Sequence, residues 1–248
     1  MDDEIKRGSI SRLISVPSKL SPRRFLRRRL NAVVLKLLRE QLYTHDSALR
    51  LAATLEGAEY AARHMKGAQP FAQKREVLMS GLKHSCLPGL FLEFGVWSGK
   101  TINLVADSVD TMVHGFDSFE GLPEDWFGTY LKGRFHTHGT LPEVRPNVKL
   151  HVGWFQDTLP AFIAEHREQI AFLHVDCDLY SSTKTIFDFL GDRLRLGSVI
   201  VFDEYFNYPG WRDHEYRAFQ ELVERHSLKY RYLAYNTSEW NVAVQITT

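Results

Sequence analysis

The chain predicts an α/β fold: a seven-stranded, mostly parallel sheet with helices on both faces, an antiparallel last strand, and extra helices ahead of the first strand. Three observations point there. From Leu90 onward, short apolar runs alternate with segments of helical periodicity, the pattern of right-handed βαβ crossovers. Two of those runs, Phe172 to Val175 and Ser198 to Phe202, read as strands buried on both faces, as the inner strands of a parallel sheet must be. The final pair of strand-like segments, Lys229 to Tyr235 and Trp240 to Ile246, is joined only by Asn236, Thr237, Ser238 and Glu239. That link is too short for a crossover helix, so the last strand must turn back antiparallel.

Each element has its own justification. Residues 1 to about 45 form a basic, Ser- and Arg-rich arm ending in one helix. Arg23, Arg24, Arg27, Arg28 and Arg29 precede the apolar stretch Ala32 to Leu38, which Lys36 interrupts. Such a helix can lie on an anionic surface, touch a phosphorylated ligand, or present a solvated face or dimer contact. Ser47 to Met65 and Pro70 to His84 repeat apolar residues at helical spacing. Residues 1–84 therefore read as a basic arm plus helices, serving as a substrate cap or dimer contact, and residues 85–248 as the main domain. Within it, strands are expected at Leu90 to Phe94, Val113 to Phe116, Val148 to Val152, Ala171 to Val175 and Val199 to Phe202. The helices between and after them fall at Lys100 to Ser108, Thr158 to His166, Ser182 to Asp192 and Trp211 to His226. The stretch Asp117 to Asn147, rich in Gly, Pro and aromatic residues, is long enough to be a functional loop rather than a connector.

Composition narrows the class. At 248 residues, 44% hydrophobic and 25% charged, the chain has room for one large α/β domain with an appendage. A net charge of +1 gives no global field that would draw nucleic acid. No apolar run approaches the roughly 20 residues of a membrane span. Asp2, Asp3 and Glu4 open the chain without a secretory h-region, and Cys86 and Cys177 are too few for a disulfide scaffold. A cytoplasmic protein is expected.

The chemistry gathers at strand ends. Asp176, Asp178, Asp203 and Glu204 follow two apolar runs, at the edge where α/β proteins bind their ligands. Carboxylates that close together cannot all ionise unless a cation joins them, so either a hard divalent ion such as Mg²⁺ or strongly raised pKa values are expected. Upstream, Glu93 ends another run, and Gly95 and Gly99 leave a turn open to a ligand. Asp117 closes the next strand, where an acid can accept ribose hydroxyls.

Together FLEFGVWSGKT, GFDSFEGLP, GWFQDTLP, LHVDCDLYSST and SVIVFDEY resemble the class I S-adenosylmethionine-dependent methyltransferases, which have a Rossmann-like fold, and among them the macrocin O-methyltransferase (TylF-like) family. The resemblance covers roughly residues 85 to 246. It implies that Glu93, Gly95, Val96 and Gly99 wall the methionine end of S-adenosylmethionine, that Thr101 bonds its carboxylate, and that Asp117 with Ser118 holds the ribose. Gly153, Phe155 and Gln156 would enclose the adenine. Asp176, which also borders the cofactor, Asp203 and Glu204 would ligate Mg²⁺, and Asp178 would be the general base. Glu204 departs from the Asp or Asn usual in the family. The implied reaction is metal-dependent methyl transfer to a hydroxyl of a small acceptor, a sugar or glycosylated natural product.

Rival readings stand beside these. Asp178 can instead cap the following helix near Ser181, and Asp157 is expected to cap its own. His136 and His138 read as exposed loop residues, His174 as a packed core histidine, and Cys177 as small packing. Trp126, Phe127, Tyr130, Tyr205, Tyr208 and Trp211 are candidates for an acceptor-binding wall, some of them simply packing. A nucleotide-sugar glycosyltransferase would explain Asp176 and Asp178 but not Glu93 or the pair at Asp203. A nicotinamide dehydrogenase would need a third glycine, and a non-catalytic descendant of the fold is the remaining alternative.

Overall fold

The Val-, Ile- and Phe-rich runs assemble into one sheet in a computed structural model that describes residues 29–33, 36 and 44–248. Residues 29–33 and 36 are helical and exposed; Arg23, Arg24, Arg27 and Arg28 of the basic arm lie outside the described residues. The compact unit that carries the sheet runs from Ala48 to Thr248. Its elements begin with helix α1 (His45–His64), strand β1 (Gln69–Phe71) and helix α2 (Lys74–His84). Then come β2 (Leu90–Phe94), α3 (Lys100–Ala106), β3 (Val113–Asp117) and β4 (Val148–Val152). The second half holds α4 (Phe155–Glu165), β5 (Ile170–Val175), α5 (Tyr180–Leu190), β6 (Val199–Phe202), α6 (Glu215–His226), β7 (Tyr230–Asn236) and β8 (Val242–Ile246). No helix among the described residues is long and apolar enough to cross a membrane.

The strand order is β1-β7-β8-β6-β5-β2-β3-β4. β8 runs antiparallel to both of its neighbours, and the other pairings are parallel. The sheet thus has eight strands where seven were expected. The extra one, β1, lies in the stretch assigned to the start of a helix. Gln69, Pro70 and Phe71 pair with Ala234, Tyr235 and Asn236; the helix starts only after Gln73, whose side chain closes a reciprocal capping box with Glu76. Three residues with a central proline carry no period-2 signal, and Pro is tolerated at a sheet edge because it has no N–H to pair. Asp157 also differs from expectation: α4 begins two residues earlier, at Phe155, and has no side-chain cap. Asp157 sits in the first turn, where its charge still suits the positive end of the helix.

Alternation along each strand divides the core. Leu92, Phe94, Leu173, Ile200 and Phe202 pack with Phe162, Ile186, Phe187 and Phe219 of α4, α5 and α6. On the other face Phe91, Ala171, Phe172, Val199 and Val201 meet Val77, Leu78 and Leu82 of α2 and Ile102 and Val105 of α3. At the C-terminal ends of β2 and β5 the two backbones nearly touch. Gly95 has φ +91°, and a Cβ placed there would stand 1.7 Å from the carbonyl oxygen of Asp176. No side chain fits that position in either conformation or space.

Buried polar groups on this framework include a histidine cluster. His114 on β3 and His151 on β4 share a hydrogen bond of 3.0 Å between Nδ1 and Nε2, with the ring of His166 4.8 Å from that of His114. Burial first, then the neighbouring His151, His166 and Lys149, push His114 down to about 4, with Glu168 opposing. His151 is likewise pushed down to about 4 by burial, Lys149 and His166, against Glu165. Both rings are therefore neutral in the fold at pH values where an unfolded histidine, near 6.5, is charged.

Two outcomes are expected. Gly95→Ala should lower unfolding stability by about 3 kcal/mol or more, read as the urea midpoint. Acidification from pH 7 to pH 5 should favour the unfolded chain, which takes up protons the folded rings refuse, so this contribution is full above the unfolded pKa and lost as pH falls toward 4. The wild-type urea midpoint should drop more steeply over that window than that of His151→Gln; equal slopes would remove the histidine pair as the cause.

Candidate active site

The C-terminal ends of β2, β3, β5 and β6 open into one cavity of about 880 Å³, within the range of small-molecule sites. Gly95, Val96, Thr101, Asp117, Ser118, Phe155, Gln156, Asp176, Asp178, Asp203 and Glu204 all line it. Of the expected site residues, Glu93, Gly99 and Gly153 do not. Gly99 and Gly153 still supply turns, with φ +76° and +138°.

The cofactor turn is held by Asp117. One carboxylate oxygen accepts the backbone N–H groups of Val96 and Trp97, each at 2.8 Å, and the other accepts that of Phe119 at 2.7 Å. Three charge-assisted bonds lock the β2–α3 turn against the end of β3. Ser118 accepts the N–H of Glu120 in the same loop. Glu93 is fully buried. Its Oε1 accepts the Thr101 hydroxyl at 2.9 Å and its Oε2 bonds Nδ1 of His174 at 2.9 Å. Glu93 and His174 are register partners on β2 and β5, so the sheet itself brings them together. His174 is buried, as expected for a core residue, yet one edge of its ring belongs to a polar chain.

Carboxylates crowd the other half of the cavity. Asp203 bonds Nζ of Lys74 through Oδ2 at 3.2 Å, and Nδ2 of Asn241 through Oδ1 at 2.5 Å. Glu204 lines the cavity beside it. Its backbone N–H donates to Oε2 of Glu215 at the start of α6, while Oε2 of Glu204 and Oε1 of Glu215 have no protein partner. Burial first, and the charge of Asp203 second, raise Asp176 and Glu204 well above the usual carboxylate range. Burial, then Asp178, does the same to Glu215. Asp178 is pushed up to about 7 by burial and Asp203. Lys74 is raised by the Asp203 carboxylate beside it. Lys100 and Lys132 also line the cavity, but among the described residues Lys74 is the lysine bonded to one of these carboxylates, and acids still outnumber it around the cluster.

Asp178 does not continue the strand. β5 ends at Val175, and Asp178 adopts φ +63°, a costly conformation for a non-glycine residue. It does not cap α5, whose N-cap is Leu179 with no side-chain bond. Its carboxylate is directed into the cavity with Asp176 by the turn, not by strand alternation. Trp126, Tyr130, Phe135 and Trp240 form an aromatic wall. Tyr205, Tyr208 and Trp211 are fully buried, and Phe127 packs against Trp126 and Tyr208 without lining the cavity, so of the expected aromatic set only Trp126 and Tyr130 belong to the wall. His136 and His138 are exposed and lie outside the cavity.

Lys74, Asn241 and Trp240 were not anticipated. Lys74 comes from α2 and the other two from the end of the β7–β8 hairpin, and none sits in a motif. Their only sequence signal is position: the first turn of a helix and a turn bordering the antiparallel strand.

A methyltransferase-domain family model matches residues 92–205. The chain is 29% identical over 214 residues to demethyldecarbamoylnovobiocin O-methyltransferase of Streptomyces niveus, covering 75% of this chain and 80% of that protein. It is 31% identical over 158 residues to an 8-demethyl-8-(2,3-dimethoxy-alpha-L-rhamnosyl)-tetracenomycin-C 4'-O-methyltransferase of Streptomyces olivaceus, covering 53% of this chain and 59% of that one. A calicheamicin methyltransferase crystal structure shares the fold, with a TM-score of 0.57, 21% identity, and coverage of 82% and 93% of the two chains. The family model and the named relatives agree on the activity: the chain is an S-adenosylmethionine-dependent O-methyltransferase, built on the α/β, Rossmann-like fold of the class I methyltransferases.

Asp117→Ala frees the three backbone donors of Val96, Trp97 and Phe119 and should weaken S-adenosylhomocysteine binding by about 30-fold or more, on the order of 2 kcal/mol. Titration calorimetry checks this; unchanged affinity would mean that the turn holds itself.

Proposed function

We propose that this enzyme methylates a hydroxyl of a sugar, free or carried on a natural product, with a divalent cation beside the acceptor and Asp178 as the base. The observation that carries the reading is that the turn locked by Asp117 and the carboxylates of Asp176, Asp178 and Asp203 open into the same cavity, next to an aromatic wall. The novobiocin and tetracenomycin relatives, named as O-methyltransferases of glycosylated compounds, support the acceptor class, as does the resemblance to the macrocin family.

S-adenosylmethionine supplies an electrophilic methyl group and a bound cation lowers the pKa of an acceptor hydroxyl. Gly95, Val96 and Ser118 border the cofactor's side of the cavity, with Phe155 and Gln156 farther along. Asp176 and Asp203 offer oxygens to the cation, and the excess of acid over Lys74, the ammonium bonded to Asp203, makes them fit for one. Trp126, Tyr130 and Trp240 give a sugar ring flat apolar faces to lie on and narrow the access of water. Asp178 takes the hydroxyl proton. With a pKa near 7 and no hydrogen-bond partner of its own among the described residues, its carboxyl is matched to that transfer at neutral pH.

Asp178→Asn should reduce kcat by about 10²–10⁴-fold on any acceptor turned over, with S-adenosylhomocysteine affinity within about threefold. A panel of sugar and glycoside acceptors assayed with and without EDTA tests the reading. Retained turnover in Asp178→Asn removes the base, and full activity in EDTA removes the cation.

A further inference from the structure

We propose that the divalent cation is ligated by His174 together with Asp176 and Asp203, with Glu204 outside its coordination sphere, and that the site therefore prefers Mn²⁺ or a similar transition ion to Mg²⁺. The inference rests on the metal-assisted reading above and specifies its ligands. Among the described residues, His174, Asp176 and Asp203 bring one donor atom each to within 4.8 Å of one another. Nε2 of His174 stands 4.0 Å from Oδ1 of Asp203. Donors around an octahedral ion with bonds of about 2.1 Å are roughly 3 to 4 Å apart, so small side-chain adjustments close the set.

The histidine is prepared for this. A carboxylate only accepts, so Glu93 holds the proton on Nδ1 of His174 through its 2.9 Å bond, leaving Nε2 with a free lone pair turned toward Asp203. Metal-binding histidines characteristically give their other ring N–H to a carboxylate or carbonyl in this way. Thr101, donating to the remaining oxygen of Glu93, stiffens the arrangement from the cofactor turn. Asp203 is oriented in turn: Lys74 takes Oδ2, and Oδ1, held by Asn241, is the oxygen that faces the imidazole.

Glu204 fails on position. It lines the same cavity as Asp203, but none of its oxygens joins the donor atoms that His174, Asp176 and Asp203 bring within 4.8 Å of one another. A nitrogen donor also changes the ion. Imidazole binds first-row transition ions better than it binds Mg²⁺, which favours all-oxygen sites. His174 lines a side cavity of about 130 Å³ that shares Lys74, Thr101, Asp203 and Asn241 with the main one. No other histidine of the described residues borders either cavity.

Mn²⁺ binding to the full chain in the presence of S-adenosylhomocysteine, followed by electron paramagnetic resonance, tests the assignment. The bound ion should show coupling to one ¹⁴N nucleus, replaced by ¹⁵N coupling when the protein is made with ¹⁵N-histidine, a result that needs no mutation. His174→Gln should weaken Mn²⁺ about 10- to 100-fold, Glu204→Gln less than threefold, and wild type should bind Mg²⁺ at least tenfold more weakly than Mn²⁺. S-adenosylhomocysteine affinity verifies that each variant is folded. Mn²⁺ bound without nitrogen coupling, and lost in Glu204→Gln, overturns the ligand set while leaving the metal-assisted reading intact. No divalent-ion binding at millimolar concentration, with turnover undiminished in EDTA, overturns both.

Discussion

The site depends on the contact between β2 and β5 at their C-terminal ends, where Gly95 passes against the carbonyl oxygen of Asp176. Strands in a sheet lie about 4.8 Å apart, and beyond the last ladder bond the chains normally diverge. Here they stay together: Asp176 N–H donates to the Phe94 carbonyl at 2.8 Å, while Gly95 N–H ties the same turn to β3 through the Phe116 carbonyl at 3.0 Å. The turn that faces the cofactor and the turn that carries Asp176 and Asp178 are thus fixed relative to one another by backbone. A methyl donor and a deprotonated hydroxyl must meet within a few tenths of an ångström of the reactive geometry, and rigid strand ends achieve that better than loops do.

Charge is the second constraint. Asp176, Asp178, Glu204 and Glu215 are all raised by burial, and that cost is tolerated because the ions are shared among few partners. Glu93 is satisfied by Thr101 and His174, Asp203 by Lys74 and Asn241. Among the described residues, Glu204 on the cavity and Glu215 behind it each keep a buried oxygen without a protein partner. Partial satisfaction of this kind is expensive in a core and expected at a functional site.

Much of this was legible in the sequence because strand ends are marked by where apolar runs stop. Asp117, Asp176 and Asp203 lie at such stops, and the Asn236–Glu239 turn gave the antiparallel β8. What stayed hidden required knowing which strands are neighbours. His174 reads as a core residue until β5 is placed beside β2, and only then does Glu93 stand opposite it. Glu204 reads as a companion of Asp203 until the donor atoms are placed, and only Asp203 then falls in with His174 and Asp176. β1 escaped notice because a three-residue edge strand has no period, and Lys74 because a lone lysine in a first helical turn is common on any surface.

β1 has a consequence for how the protein meets other chains. A β7 edge left bare would offer a row of unpaired N–H and C=O groups, an invitation to strand addition. Gln69–Phe71 covers part of it, and Pro70 on the outermost strand removes one of the donors an incoming strand would need. On that side the sheet offers an incoming strand only a short, proline-interrupted edge.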